Sequence, residues 1–214
     1  MLTRSATMAI EPLTPERRRQ QTREHLLAAA AQVFAEQGFH GASLDEVATV
    51  AGFTKGAVYS NFKNKEDLFL ALFRARYQQE TEALRTTLAA SDVPPDARLS
   101  DFVALFQDQA HLARSNFGLL YQEFWLYAAR NPAVRKEFTE IDDEAVEALA
   151  ALISAERDGL GLEPLDDAIQ TARIIEVLFR GIGLLRILQP EVADESFIES
   201  AIAFVARALG AAGG

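Results

Sequence analysis

Apolar residues recur along the chain at intervals of three and four rather than two, the spacing that lines one face of an α-helix. No strand-like alternation of useful length interrupts them, so the pattern predicts an all-α protein of about nine helices. Thr14-Pro15-Glu16 supplies a cap, a proline at the first helical position and an acid in the first turn, opening a helix that runs to about Gln37 and stops at Gly38. Leu26, Ala30, Val33 and Phe34 form its apolar stripe. Ser43-Leu44-Asp45-Glu46 is a capping box in which the Ser43 hydroxyl and the Glu46 carboxylate each satisfy a backbone amide, and it starts a short helix to Ala51. Gly52-Phe53 makes the turn. Thr54 caps a third helix to about Phe62, and residues 64–67 cap a long fourth one ending near Ala90. The same punctuation places further helices near residues 96–114, 117–129, 132–157, 164–188 and 194–209.

Two short helices joined by a glycine-containing turn form the helix-turn-helix pattern. Ala48 falls where the helices cross, Gly52 occupies a turn position suited to a left-handed backbone, and Val58 with Phe62 faces inward. The outward face is then Lys55, Gly56, Ala57, Tyr59, Ser60 and Asn61, with Thr54 at its start. Small residues let a helix approach base edges closely, and Ser, Asn and Lys donate to phosphates or bases. Lys65 sits in the first turn of the next helix, where backbone amides and an ammonium group together suit a phosphate. A plain helical hairpin with a polar solvent face accounts for the same spacing, so the pattern alone leaves both readings open.

Charge bears on that choice. The 214 residues carry 21 Lys and Arg against 31 Asp and Glu, a formal charge of −10, which taken whole argues against nucleic acid. Its distribution does not. Residues 1–65 hold eight cations against six acids, and the remaining 149 hold 13 against 25. Such opposite signs point to an anionic partner at the N-terminal end. Arg17, Arg18, Arg19 and Arg23 crowd the start of the first helix, where they oppose its dipole, which favours an anionic partner over a structural purpose. Residues 1–13, with Arg4, are aperiodic and read as a flexible basic arm.

From Thr22 to Leu72, and above all along Thr54-Lys55-Gly56-Ala57-Val58-Tyr59-Ser60-Asn61-Phe62-Lys63-Asn64-Lys65-Glu66-Asp67-Leu68, the chain resembles the DNA-binding domain of the tetracycline-repressor (TetR) family. The resemblance implies a three-helix DNA-binding domain, residues 14–65, followed by a larger helical ligand-binding and dimerising domain, residues 66–214. In that family small molecules release the repressor from its operator. Tyr59 and Lys65 would then hold phosphates, Lys55 and Gly56 would approach base edges or backbone, and Ser43 would touch phosphate from the preceding helix. Asn61 stands where the family often has His.

In the larger part, Phe117, Tyr121, Phe124 and Trp125 place four large rings on one helical face, a stripe that suits a core as well as a ligand box. The resemblance implies a mostly apolar pocket lined partly by these rings and Phe179. Polar candidates nearby are Asp108, His111, Arg114 and Glu123. The helix over residues 164–188 is apolar most of the way round, and the last helix shares that character, so both must be buried on more than one side. The pattern predicts a two-fold homodimer with a four-helix interface using Ile175, Phe179, Ile182, Phe197, Ala201, Phe204 and Val205. The expected partners are therefore double-stranded operator DNA, a second copy of the chain and a small-molecule effector.

Other classes fit less well. With no cysteine and three scattered histidines, the sequence predicts no disulfide, thiol nucleophile, metal or other cofactor, and it fits a reducing cytoplasm. The longest uncharged stretch is residues 25–35, short of the ~18 to 20 apolar residues of a membrane span, so no membrane partner is expected. Residues 1–10 lack the apolar run of a secretory signal. An enzyme would have to use Asp142-Asp143-Glu144 or Asp166-Asp167, yet neighbouring acids on a helix do not converge, and no nucleophile, phosphate-loop or metal motif accompanies them. A helical protein-interaction module without DNA binding is the remaining alternative.

Overall fold

The computed structural model describes residues 14–90 and 116–210, the side chains of 87–90, Asn116 and Phe117 excepted. The expected basic arm, the helix near residues 96–114 with Asp108, His111 and Arg114, and the last four residues lie outside them. Among the described residues the chain is all helical: α1 Pro15–Gly41, α2 Leu44–Ala51, α3 Lys55–Asn61, α4 Lys65–Ala90, α5 Asn116–Arg130, α6 Pro132–Gly159, α7 Ala168–Leu188 and α8 Glu195–Ala208.

Local chemistry sets most of these boundaries. The Thr14 hydroxyl accepts from the Arg17 amide at 3.3 Å and opens α1, as the sequence predicts. Gly38, at φ 72° and ψ 172°, breaks the helical path, and one further turn follows before Ala42. Ser43 caps α2, but only half of the expected capping box forms: its hydroxyl accepts from the Glu46 amide, whereas the Glu46 carboxylate accepts from the Gln37 side chain. Gly52 closes α2 in the left-handed conformation at φ 71°. Thr54 opens α3 by accepting from the Ala57 amide, and Asn64 opens α4 by accepting from Asp67. The start of α7 differs from expectation. Residues 164–167 stay outside the helix because the Asp167 carboxylate accepts from the Gln170 amide at 2.8 Å, making that residue the cap.

Two apolar clusters hold the helices together. The first runs from Leu26 to Ile141 and joins α1, α2, α3, α4, α5 and the start of α6. At its centre Phe69 stacks on Phe124 with ring centroids 4.1 Å apart, and Phe39 meets Phe124 edge-on at 4.9 Å. The second cluster packs the later part of α6 against α7 and α8 through Ile153, Ala172, Phe179, Ile202 and Val205. Helix α6 thus passes from one core to the other. Arg157 fastens its end by donating to the carbonyls of Leu209 and Glu163.

Candidate nucleic-acid interface and apolar cavity

Buried Ala48, Val58 and Phe62 fix α3 against α2 and α1, as their spacing predicts. That anchoring turns Lys55, Gly56, Tyr59 and Ser60 outward, with Thr54 beside them, and leaves the Tyr59 ring 57% exposed. Ser43 is exposed at the start of α2. Ala57 is half-buried, and Asn61 donates to the Ala57 carbonyl at 2.8 Å. Lys55 reaches back to Asp45 across the turn, an exposed pair of small energetic weight.

Two cations have structural partners that spacing did not reveal. Arg23 lies over the Phe62 ring at 4.4 Å and donates to the Asn61 carbonyl at 3.1 Å, so it secures the end of α3 and, unlike the reading drawn from helix dipoles, has a structural purpose. The Lys65 ammonium donates to the carbonyls of His40 and Ala42 at 3.1 and 3.0 Å and lies 4.8 Å from the Phe39 ring centroid. It ties α4 to the end of α1.

Helix α5 makes a second tie at that point. The Glu123 carboxylate accepts from the Phe39 amide at 2.8 Å, and the Tyr127 hydroxyl donates to Glu66 at 2.7 Å. Gly38 has a positive φ that favours glycine, and a β-carbon there would lie 2.7 Å from the Glu123 carboxylate and push that flexible side-chain end aside. Sequence spacing offered Glu123 only as a polar pocket candidate.

Between α4, α5, α6 and α7 lies a cavity of about 180 Å³. Phe73, Leu84, Leu149, Phe179, Leu184 and Ile187 make its apolar walls, and Tyr77, Tyr121, Glu176 and Arg180 form a polar patch. Arg180 pairs with Glu176 and with Asp142 at 2.5 Å, donates to the Tyr77 hydroxyl at 3.1 Å, and lies 4.8 Å from the Tyr121 ring centroid. Arg173 pairs with Asp142 and Asp143 on the outer side. Burial pushes the Glu176 carboxyl up to about 7; the Arg180 charge opposes that rise and Asp142 adds to it. Burial also raises the Tyr121 and Tyr77 hydroxyls above the usual phenol range.

Of the rings expected at a pocket, Tyr121 and Phe179 line this cavity, Phe124 is fully buried in the first core, and Trp125 is 49% exposed and does not line the cavity. The Phe117 side chain lies outside the described residues. Of the residues expected at a dimer interface, Ile175, Phe179, Ile182 and Val205 are buried in the chain's own second core, Ala201 is half-buried, and Phe197 and Phe204 are exposed. On α7 the exposed large apolar residues are Ile169, Ile174, Val177 and Leu188, with Ile174 and Val177 about 60% accessible each. A helix apolar most of the way round gives no cue to which side its own chain covers, so spacing could not separate Ile175, Phe179 and Ile182 from their exposed neighbours.

The N-terminal helices match the family model described as bacterial regulatory proteins of the tetR family over residues 26–72, and a model for BetI-type transcriptional repressors, C-terminal, matches residues 95–211, more than half of the chain. The chain belongs to the TetR family. Among its relatives, the transcriptional repressor BepR of Brucella suis is 48% identical over 61 residues, 28% of this chain and 29% of that protein. The transcriptional activator FasR of Mycolicibacterium smegmatis is 29% identical over 128 residues, 60% of this chain and 58% of that protein. The chain therefore aligns with less than two thirds of the length of either. In fold it is similar to the Bacillus subtilis regulator FadR, solved in complex with stearoyl-CoA, with a TM-score of 0.65 and 20% identity over 87% of this chain and 96% of that one. In this TetR-family protein no helix of the described residues is long and apolar enough to cross a membrane.

Proposed function

We propose that this TetR-family protein is a cytoplasmic, non-enzymatic transcriptional repressor that binds a palindromic operator as a homodimer and is released when a small hydrophobic or amphipathic molecule occupies the α4–α7 cavity. Residues 14–65 form the DNA-binding part and 66–214 the part that senses ligand and dimerises. The observation that carries this reading is α3. Its inward face is fully used by Val58 with Phe62 behind it, while Gly56, Tyr59 and Ser60 stand outward on a helix that begins with no acid in its first turn. A small, hydrogen-bonding, uncharged-to-basic surface suits the major groove, and Tyr59, Ser43, Thr54 and Lys55 flank it as phosphate and base contacts. Lys65 belongs to this machinery as the residue that positions the start of α4.

Exposed Ile174, Val177, Phe197 and Phe204 support dimerisation through α7 and α8 of each chain, since an apolar stripe of that kind is covered in solution. Two copies would set the recognition helices one DNA turn, ~34 to 36 Å, or somewhat more apart. Four of the five acids considered for catalysis have structural work: Asp142 and Asp143 pair with arginines, Glu144 pairs with Arg74 at 3.0 Å, and Asp167 caps α7.

Selection of bound duplexes from a random pool tests the reading. A palindromic consensus is expected, and Tyr59→Phe should weaken binding to every selected sequence. Recovery of no palindrome, or wild-type affinity in Tyr59→Phe at moderate salt, would overturn it.

A further inference from the structure

The polar patch of the cavity is incomplete in a chemically specific way. Glu176 uses one carboxylate oxygen on Arg180, while Oε2 is buried with no hydrogen-bond partner. Tyr121 is 9% exposed and lines the same cavity, and its hydroxyl lies beside that of Tyr77 without a well-formed hydrogen bond. Buried oxygens left in that condition are costly, so the carboxylate oxygen marks a position where a donor belongs, and the hydroxyl one that accepts from the same donor or donates in turn. We propose, resting on the effector reading above, that the cavity selects an apolar molecule carrying a protonated amine, bound by Glu176 Oε2 and the Tyr121 hydroxyl.

The charges around the patch favour a cation over an anion. Arg180 and Arg173 are shared among Asp142, Asp143 and Glu176, two positive charges against three negative once Glu176 is ionised, and the nearby Arg76 and Glu80 pair with each other at 2.5 Å. An ammonium supplies the missing charge and three donors, enough for both unpartnered oxygens. A carboxylate would enter beside Glu176 and Asp142, with the Arg180 charge already spread over both of them and the Tyr121 ring. The apolar body of the ligand packs against Phe73, Leu149, Phe179 and Ile187.

Calorimetric titration of the full chain with phenylbutylamine, phenylbutanol and phenylbutyrate compares one apolar body with three headgroups. The amine is expected to bind about tenfold more tightly than the alcohol, as charge-assisted hydrogen bonds are stronger than neutral ones, and the acid most weakly. Glu176→Gln should remove about tenfold of the amine affinity and far less of the alcohol's, and Tyr121→Phe should weaken the amine by a smaller factor. The acid binding tightest, amine affinity unchanged in both variants, or no binding of any probe would overturn the proposal. The wild-type ranking needs no variant to fold. Loss of the ranking with palindromic DNA binding intact sinks the ligand class alone, whereas absence of DNA binding sinks the regulator reading.

Discussion

At Glu176, burial works against a charge that Arg180 only partly compensates, and the carboxyl therefore titrates at about 7 in the folded chain against an ordinary 4.5. Between those values the folded state holds a proton that the unfolded chain has released, so stability must fall as pH rises from about 4.5 to about 7 and level off above. The full effect is up to about 3 kcal/mol. Arg180 and Arg173 face the group and hold its titration down, whereas Asp142 pushes it up. Urea unfolding at about pH 5 and about pH 8 should show this loss in the wild type and much less of it in Glu176→Gln; an equal slope in both would place its source elsewhere. Lys65 makes a separate case at the same scale. Its ammonium serves two carbonyls and a ring, so Lys65→Ala should cost about 1 to 2 kcal/mol of stability and weaken DNA binding while leaving the salt dependence of that binding unchanged. A flattened salt slope in the variant would instead identify Lys65 as a phosphate contact.

At the scale of elements, α5 is the piece that touches both ends of the molecule's business. Tyr121 stands on the cavity wall, and two residues later Glu123 holds the Phe39 amide at the end of α1. Gly38→Ala would force a side chain into a positive φ and against the Glu123 carboxylate, and should destabilise the chain by about 1 to 3 kcal/mol in thermal unfolding. Wild-type stability in that variant would show that the junction yields easily. Most element boundaries were legible in the sequence because they depend on residues close in the chain: Thr14, Ser43, Thr54 and Gly52 act within a turn or two of themselves. The outward face of α3 was legible for the same reason, since one short helix with one inward stripe leaves its remaining positions outward. What spacing could not supply were partners far apart in sequence. Arg23 on Phe62, Lys65 on the His40 carbonyl, Glu123 on the Phe39 amide and Arg180 on Asp142 all depend on how helices cross, and a charged residue bears no mark of which distant group it will meet.

At the scale of the whole molecule, α7 and α8 separate two roles that look alike in composition. Ile175 and its buried neighbours hold the chain's own core, whereas Ile174 and Phe204 are accessible. Ile174→Glu with Phe204→Glu should therefore leave a folded chain that sediments as a monomer and loses most of its operator affinity. Ile175→Ala should lower stability by about 2 to 4 kcal/mol. Sedimentation separates these outcomes, and a double variant that remains dimeric would exclude this face as the interface.

The first core bears on how such regulators can be recombined. It takes Leu26, Phe34 and Phe39 from the first 65 residues but Phe69, Phe73, Phe124 and Phe138 from beyond them, so the seam proposed at Lys65 runs through the middle of one packed unit. A chimera that grafted these recognition helices onto another sensor at that seam would face them with foreign rings. To exchange operator specificity intact, a crossover must either carry the matching faces of α4, α5 and α6 along or alter only the outward residues of α3. Variation that retargets the protein should accordingly accumulate one surface residue at a time.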